Sequence, residues 1–501
     1  MGDHDRVREK LDPAELRLFT KALLVDLRAL ETMLEEGRIE SDRRRLGAEQ
    51  EVVLVDDEWR PAPVNLKVLE RLADERFTTE LGRFNIEFNL DPVAVGEHSL
   101  AEMERQLREL LTAAQAAAAA EGARIVLTGI LPTLNKSDLT LDGMTPHPRY
   151  YALNEAMNRV RGRHFSLRIK GRDELIIEHD NVMLEACNTS FQLHYQVSAE
   201  EFARSYNIAQ LVAAPVLACA TNSPLLFGRQ LWRETRIALF QQSVDTRGRT
   251  DAVRESIPRV SFGRQWVRES ALEIFQEDLA RFQVLLGGRV DQDPFEVLAA
   301  GGAPDLTALR IFNSTVYRWN RPCYGISDGK PHLRIENRIL PSGPTTRDEL
   351  ANAAFWFGLM RGMPDHVDEV QPRLDFGVVR ENFVAAARLG LGANLAWLDG
   401  RRWPAGELVL EVLLPIARQG LAALGIGEAD AHRYLDVVEE RTAGGHSGAQ
   451  WLIDSIDAMD QGSRYERLAA LTAAIAERQG RDEPVHTWAP AELTEAGDWS
   501  R

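Results

Sequence analysis

Apolar residues recur at helical spacing from the start of the chain. Between residues 13 and 38 they fall at Leu16, Leu18, Leu23, Leu24, Leu27, Leu30 and Leu34, which predicts a helix. The period then shortens. Leu46 to Val55 reads as a strand, and Asp56-Asp57-Glu58 begins its turn. A helix near 65–75 and a strand over Phe84–Leu90 follow, the strand stopped by Asp91-Pro92. Residues 99–121 predict a long helix that ends in an alanine run and is closed by Gly122. Arg124–Thr128 reads as a short buried strand, 131–148 as a loop rich in Pro, Asp and Thr, and 150–161 as a helix.

Two alternating runs, Phe165–Ile169 and Leu175–Glu178, are joined through Gly171-Arg172-Asp173 and predict a hairpin. Ser190–Val197 is a further strand, and helices are expected over 199–219 and 229–243. Residues 244–330 carry Gly and Pro without a clear period, and His332–Leu340 is the last clear strand. From Arg347 onward the pattern is helical: 347–362, 378–389, 405–424, 428–441, 447–459 and 463–479, with a polar tail after Gly480 expected to fray. Hairpins and long helical excursions between strands, with helices gathered at the C-terminal end, predict an α+β fold around an antiparallel sheet.

Composition narrows the function. The 501 residues carry a formal charge of −17, the wrong sign for a phosphate-neutralising surface or for anionic lipid. No nucleic acid and no membrane is therefore expected as a partner. The apolar stretch Leu211–Ala220 is too short for a bilayer and reads as a buried helix. Met1-Gly2-Asp3-His4-Asp5 has no apolar core of the kind a secretory leader needs. Three cysteines without paired spacing (Cys187, Cys219, Cys323) fit a reducing compartment and offer no zinc motif, so a cytoplasmic location is expected.

Four polar clusters interrupt apolar strands. In Gly47-Ala48-Glu49-Gln50-Glu51 the two glutamates stand at i and i+2, so both point to one face of the strand. Crowded like charges need a cation between them or solvent around them, and taken alone the pair fits a solvated strand end as readily as a Mg²⁺ site. Glu87 lies between Ile86 and Phe88 in the second strand, with Glu80 upstream beyond Gly82; a salt bridge to Arg83 competes with a metal-ligand role. In the third strand Gln192, His194 and Gln196 alternate against Phe191, Leu193, Tyr195 and Val197, the mark of a site lining opposite a core face. In the fourth, Arg334, Glu336 and Arg338 alternate with Leu333, Ile335, Asn337 and Ile339. That face is either an ion-paired surface or a metal-binding carboxylate beside guanidiniums that hold phosphoryl or carboxylate charge. Asn222-Ser223-Pro224 leads into Arg233 and Arg236, which bind an anionic substrate or pair with neighbouring acids such as Glu234.

The order of these pieces resembles the glutamate–cysteine ligase type 2 (carboxylate–amine ligase) family of the glutamine synthetase-like superfamily. The motifs that carry the likeness are Gly47-Ala48-Glu49-Gln50-Glu51, Pro148-Arg149-Tyr150-Tyr151, Asn222-Ser223-Pro224 with its arginines, and Leu333-Arg334-Ile335-Glu336-Asn337-Arg338, within residues 44–365. The third strand holds one histidine where the family commonly has two. The resemblance implies a curved, mainly antiparallel sheet forming a funnel, in a catalytic domain over 1–365 with a helical region over 366–501 packed on it. It implies ATP with Mg²⁺ (or Mn²⁺) and small amino-acid or amine substrates, and it is compatible with a homo-oligomer. Glu49, Glu51, Glu80, Glu87, His194 and Glu336 would ligate metal, with Glu51 and Glu336 also counted in the catalytic set. Arg338 would stabilise the transferring phosphoryl group, and Arg233, Arg236 and Arg334 would lie near nucleotide or acidic substrate. The implied reaction joins a carboxylate, plausibly the γ-carboxylate of glutamate, to an amine through an acyl phosphate. A metal-dependent hydrolase on the same carboxylates and a non-catalytic metabolite-binding protein are the alternatives.

Overall fold

A computed structural model describes residues 13–162, 164–247, 258–367 and 369–493. The five N-terminal residues considered above lie outside this range.

The main sheet has eight strands: β1 (Arg45–Val55), β2 (Phe77–Thr79), β3 (Asn85–Asn89), β4 (Val93–Ala94), β5 (Arg124–Val126), β6 (Phe191–Val197), β7 (Asn320–Ser327) and β8 (Lys330–Asn337). The order is β7-β8-β6-β1-β3-β2, with β4 and β5 also paired to β1. Every pairing is antiparallel. β1 is the hinge of this arrangement. Its first half pairs with β6 and its second half with β3 and β5, so its 11 residues bind strands on both sides. The sheet curls, and the polar residues of five strands face one hollow. The expected α+β fold with a curved antiparallel sheet is the observed one.

The period-2 pattern decides which face is which. In β6, Phe191, Leu193, Tyr195 and Val197 turn to the core while Gln192, His194 and Gln196 turn to the hollow. Tyr195 packs on the helix Thr346–His366, stacked at 6.1 Å on Phe357 and edge-on at 6.2 Å to Trp356. That helix is itself clamped by Leu414–Ala423. A Cβ added at Gly420 would lie 1.9 Å from the carbonyl oxygen of Gly358, so the backbones meet where no side chain fits. One continuous apolar core runs from Phe19 to Ala491.

Four expectations are corrected. The helix expected over 229–243 begins at Thr235; Arg229–Gln230 instead pairs with Leu225–Leu226. Phe227 and Gly228 both have positive φ, the geometry of a two-residue hairpin turn. The unreadable stretch 244–330 contains β7, whose Pro322 is tolerated because the strand lies at the sheet edge. The helix over 405–424 is interrupted by a π-helical turn at Leu408–Leu413, where Pro415 has no N–H to give the ladder. The tail after Gly480 is packed as far as residue 493. Val485 and Trp488 are buried, and Trp488 meets Trp451 edge-on at 4.9 Å.

Candidate active site

The hollow of the sheet holds a cavity of about 680 Å³. Glu49, Glu51, Glu80, Glu87, His194, Arg334, Glu336 and Arg338 all line it. They form two sets.

The first set is Glu51, Glu80 and Glu87. Glu51 and Glu87 are register partners across β1 and β3. Glu80 enters from the β2–β3 connection, two residues before Gly82, where a Cβ would crowd the side chains of Asn85, Ala186 and Phe84. Each of the three offers an oxygen within 4.8 Å of the others. Glu51 accepts from the Ser190 amide at 2.7 Å and from Gln192 Nε2 at 2.9 Å, and Glu87 accepts from Asn89 Nδ2 at 3.1 Å. Burial raises all three carboxyls above the ordinary carboxylate range. Mutual repulsion adds to this, with Glu51 and Glu87 acting on Glu80, and Glu49 and Glu51 pushing Glu87 up to about 8. Among the described residues no arginine or lysine is hydrogen-bonded to any of the three; Arg338 and Arg236 reach Glu51 only through their fields. Three converging hard oxygens fit a Mg²⁺- or Mn²⁺-sized ion.

The second set is Glu49, His194 and Glu336, and its carboxylates are hydrogen-bonded by protein donors. His194 Nε2 lies 3.0 Å from Glu49, while Arg334 Nε donates to His194 Nδ1 at 2.9 Å. Arginine cannot accept, so Nδ1 carries the lone pair and Nε2 the hydrogen directed at Glu49; the tautomer follows from the network. Burial would raise the Glu49 carboxyl, but His194 reverses this and holds it at about 2. Glu336 is fully buried and receives a two-pronged contact from Arg321, with Nη2 at 2.8 Å and Nε at 3.1 Å. Arg338 Nη1 and the thiol of Cys323 also donate to it. Burial opposes the charge, yet Arg321 and Arg338 hold its carboxyl well below the usual range.

Arg233 and Arg236 stand outside the cavity lining. Arg236 is buried against Glu234 at 3.0 Å and the Ile339 carbonyl at 2.9 Å, and reaches Glu51 only through its field. Arg233 is folded against Gly390. Both serve the framework behind the site because the helix starts six residues later than its pattern suggested.

Arg321, Cys323, Glu185 and Arg149 line the cavity but carried no role in the sequence. Arg321 and Cys323 belong to β7, whose alternation is broken by Pro322 and Gly325. Glu185 opens a single turn ahead of β6, where no period marks it. Arg149 stood in a recognised motif without a role; its Nη2 donates to Ser314 Oγ at 2.9 Å.

Among solved structures, the chain resembles the glutamate–cysteine ligase of Francisella tularensis, solved in complex with AMP. Identity is 12%, the TM-score is 0.55, and the match covers 92% of this chain and 94% of that one. A bifunctional glutathione synthetase from Pasteurella multocida matches at 12% identity and a TM-score of 0.51, over 91% of this chain and 55% of that one. At this identity the likeness is one of fold. A search of curated proteins returned no match. Among the described residues no helix is long and apolar enough to cross a membrane. The model of glutamate-cysteine ligase family 2 matches residues 45–474, across every strand that lines the cavity. The chain belongs to glutamate-cysteine ligase family 2, a family of ATP-dependent carboxylate–amine ligases.

Proposed function

We propose that this enzyme uses Mg²⁺ and ATP to join a substrate carboxylate, most simply the γ-carboxylate of glutamate, to an amine. The observation that carries the reading is the converging trio Glu51, Glu80 and Glu87 inside the cavity of a chain of this family. These three residues would hold the ion, which when bound offsets the negative charge of the nucleotide phosphates. Glu49, His194 and Glu336 adjoin them as a set in which Glu336 is paired with Arg321 and Arg338 and Glu49 accepts from His194.

The chain's own task is to bring like-charged reactants together. A carboxylate oxygen attacks the γ-phosphorus of ATP, the bond to ADP breaks, and ADP leaves with the electron pair. Arg338 lies between Glu336 and the cavity and supplies positive charge where the phosphoryl group moves. An amine nitrogen then attacks the acyl carbon, phosphate leaves, and the nitrogen gives up a proton. Holding both substrates in one hollow supplies much of the acceleration such a reaction needs.

The test is ADP release, dependent on Mg²⁺ and ATP, screened over acid and amine pairs with mass spectrometry of the product. An amide mass from a pair that also releases ADP is the expected result. Phosphate without amide, or turnover without nucleotide, sinks the reading. Glu51→Gln should abolish ADP release with the fold intact.

A further inference from the structure

Glu185 differs from the other glutamates of the cavity. Glu49, Glu51, Glu80, Glu87 and Glu336 each accept a hydrogen bond from a named neighbour. Among the described residues the Glu185 carboxylate has neither hydrogen bond nor ion pair, yet it faces the cavity. It stands apart from the trio whose oxygens converge. Its position is rigid: it begins the turn Glu185–Cys187, and the Glu185 and Ala186 amides are bonded to the Val182 and Met183 carbonyls.

The surroundings point to a ligand with positive charge. The charges that reach Glu185 are Arg338, Glu51 and Arg149, and none of them is bonded to it. Burial lifts its carboxyl to about 7, the response of a group whose charge lacks a partner. A second orphan stands on the same wall. Arg149 is 9% exposed, lines the cavity, and its buried Nη1 has no hydrogen-bond partner. Tyr317, also a lining residue, feels the fields of both. A half-buried acid and a buried guanidinium on one wall that are not bonded to each other leave room for a polar molecule between them.

We propose that Glu185 is the specificity-determining residue for the amine substrate, receiving its ammonium group as it enters the cavity. This rests on the ligase reading above. It selects amines that arrive as cations over neutral nitrogen nucleophiles. Arg149 Nη1 remains available beside it for an anionic group on the same molecule.

The test compares two classes of acceptor in each variant. The cationic panel is ethylamine, putrescine and the protein amino acids; the neutral probe is hydroxylamine, uncharged near neutral pH, which yields a hydroxamate. In Glu185→Gln the ratio of kcat/KM for the best cationic acceptor to that for hydroxylamine should fall at least about tenfold, the loss expected when one member of a buried charged contact is removed. Glu185→Asp should recover most of it. Hydroxamate formation in the same sample reports that the variant is folded. A ratio within about twofold of wild type overturns the proposal, twofold being well below the worth of a buried charged contact. So does joint loss of both activities, which would move Glu185 into the nucleotide or metal site, and so does a wild-type enzyme that uses hydroxylamine and no cationic amine. A wild-type enzyme that turns over neither class sinks the ligase reading itself.

Discussion

Arg334 Nε donates to His194 Nδ1 at 2.9 Å, and this bond decides what His194 offers to Glu49. With Nδ1 occupied, the hydrogen must sit on Nε2, and the ring is held facing Glu49. Arg334 is thus a positioning residue for the carboxylate set.

Removing that support should loosen the site without dismantling it. For Arg334→Met we expect the Mg²⁺ concentration that half-activates ADP release to rise about tenfold, as outer-shell substitutions commonly do. Titrating Mg²⁺ at saturating ATP measures it. An unchanged half-activation with a raised KM for ATP would place Arg334 at the nucleotide instead.

The trio of glutamates trades stability for function. Burial and neighbouring acids push Glu87 up to about 8, against an ordinary value of 4.5. Its burial therefore costs stability increasingly as pH rises from 4.5 to 8. Glu87→Gln, assayed in EDTA at a pH above that window, should melt at a higher temperature than wild type. The same variant should lose ADP release by more than about 100-fold. A lower melting temperature would show that the carboxylates are compensated by a group other than a metal ion.

Arg321 and Glu336 make a buried pair with two-pronged geometry. Arg321→Met leaves Glu336 with Arg338 and Cys323, and the lost partner should cost about 3–5 kcal/mol. Adding Glu336→Gln removes the stranded charge and should recover much of that loss. Urea denaturation of both single variants and the double variant closes the cycle. Strict additivity would mean that the pair is not coupled.

How much of this was legible beforehand follows from where period-2 alternation survives. Alternation survives in β3, β6, β8 and the Glu49–Glu51 part of β1, so which residues share one face could be read from spacing, while their role as one site was implied only by the family resemblance. β7 was hidden because Pro322 and Gly325 occupy an edge strand, where neighbours do not enforce the pattern. Arg321 went unread with it. The family resemblance alone puts Arg233 and Arg236 near nucleotide or acidic substrate, spacing leaves pairing with Glu234 open, and the fold sets both outside the cavity lining. Glu185 lies on a single turn, where no periodicity exists to expose it. Pairing between acids and arginines is set by tertiary approach, which spacing along the chain does not encode.

Glu349 lies behind the sheet, in the first turn of the helix Thr346–His366, and is fully buried. Its Oε1 accepts from the Gly343 amide, and the Gln50 side chain adjoins the carboxyl and favours its charged form. Burial raises its carboxyl to about 8, with help from Asp348 and Asp482. The unfolded chain releases that proton near 4.5 and the folded chain near 8, so the folded state binds the extra proton between them. Stability should therefore fall as pH rises through this window and level off above it. Glu349→Gln replaces the acid with a neutral isostere. It should match wild type at the acidic end of the window and exceed it above the window by an amount on the order of 2–4 kcal/mol. Thermal melting of both proteins across the range is the measurement. A difference that does not change with pH would mean that Glu349 holds the same charge in both states and that its carboxylate is balanced within the core.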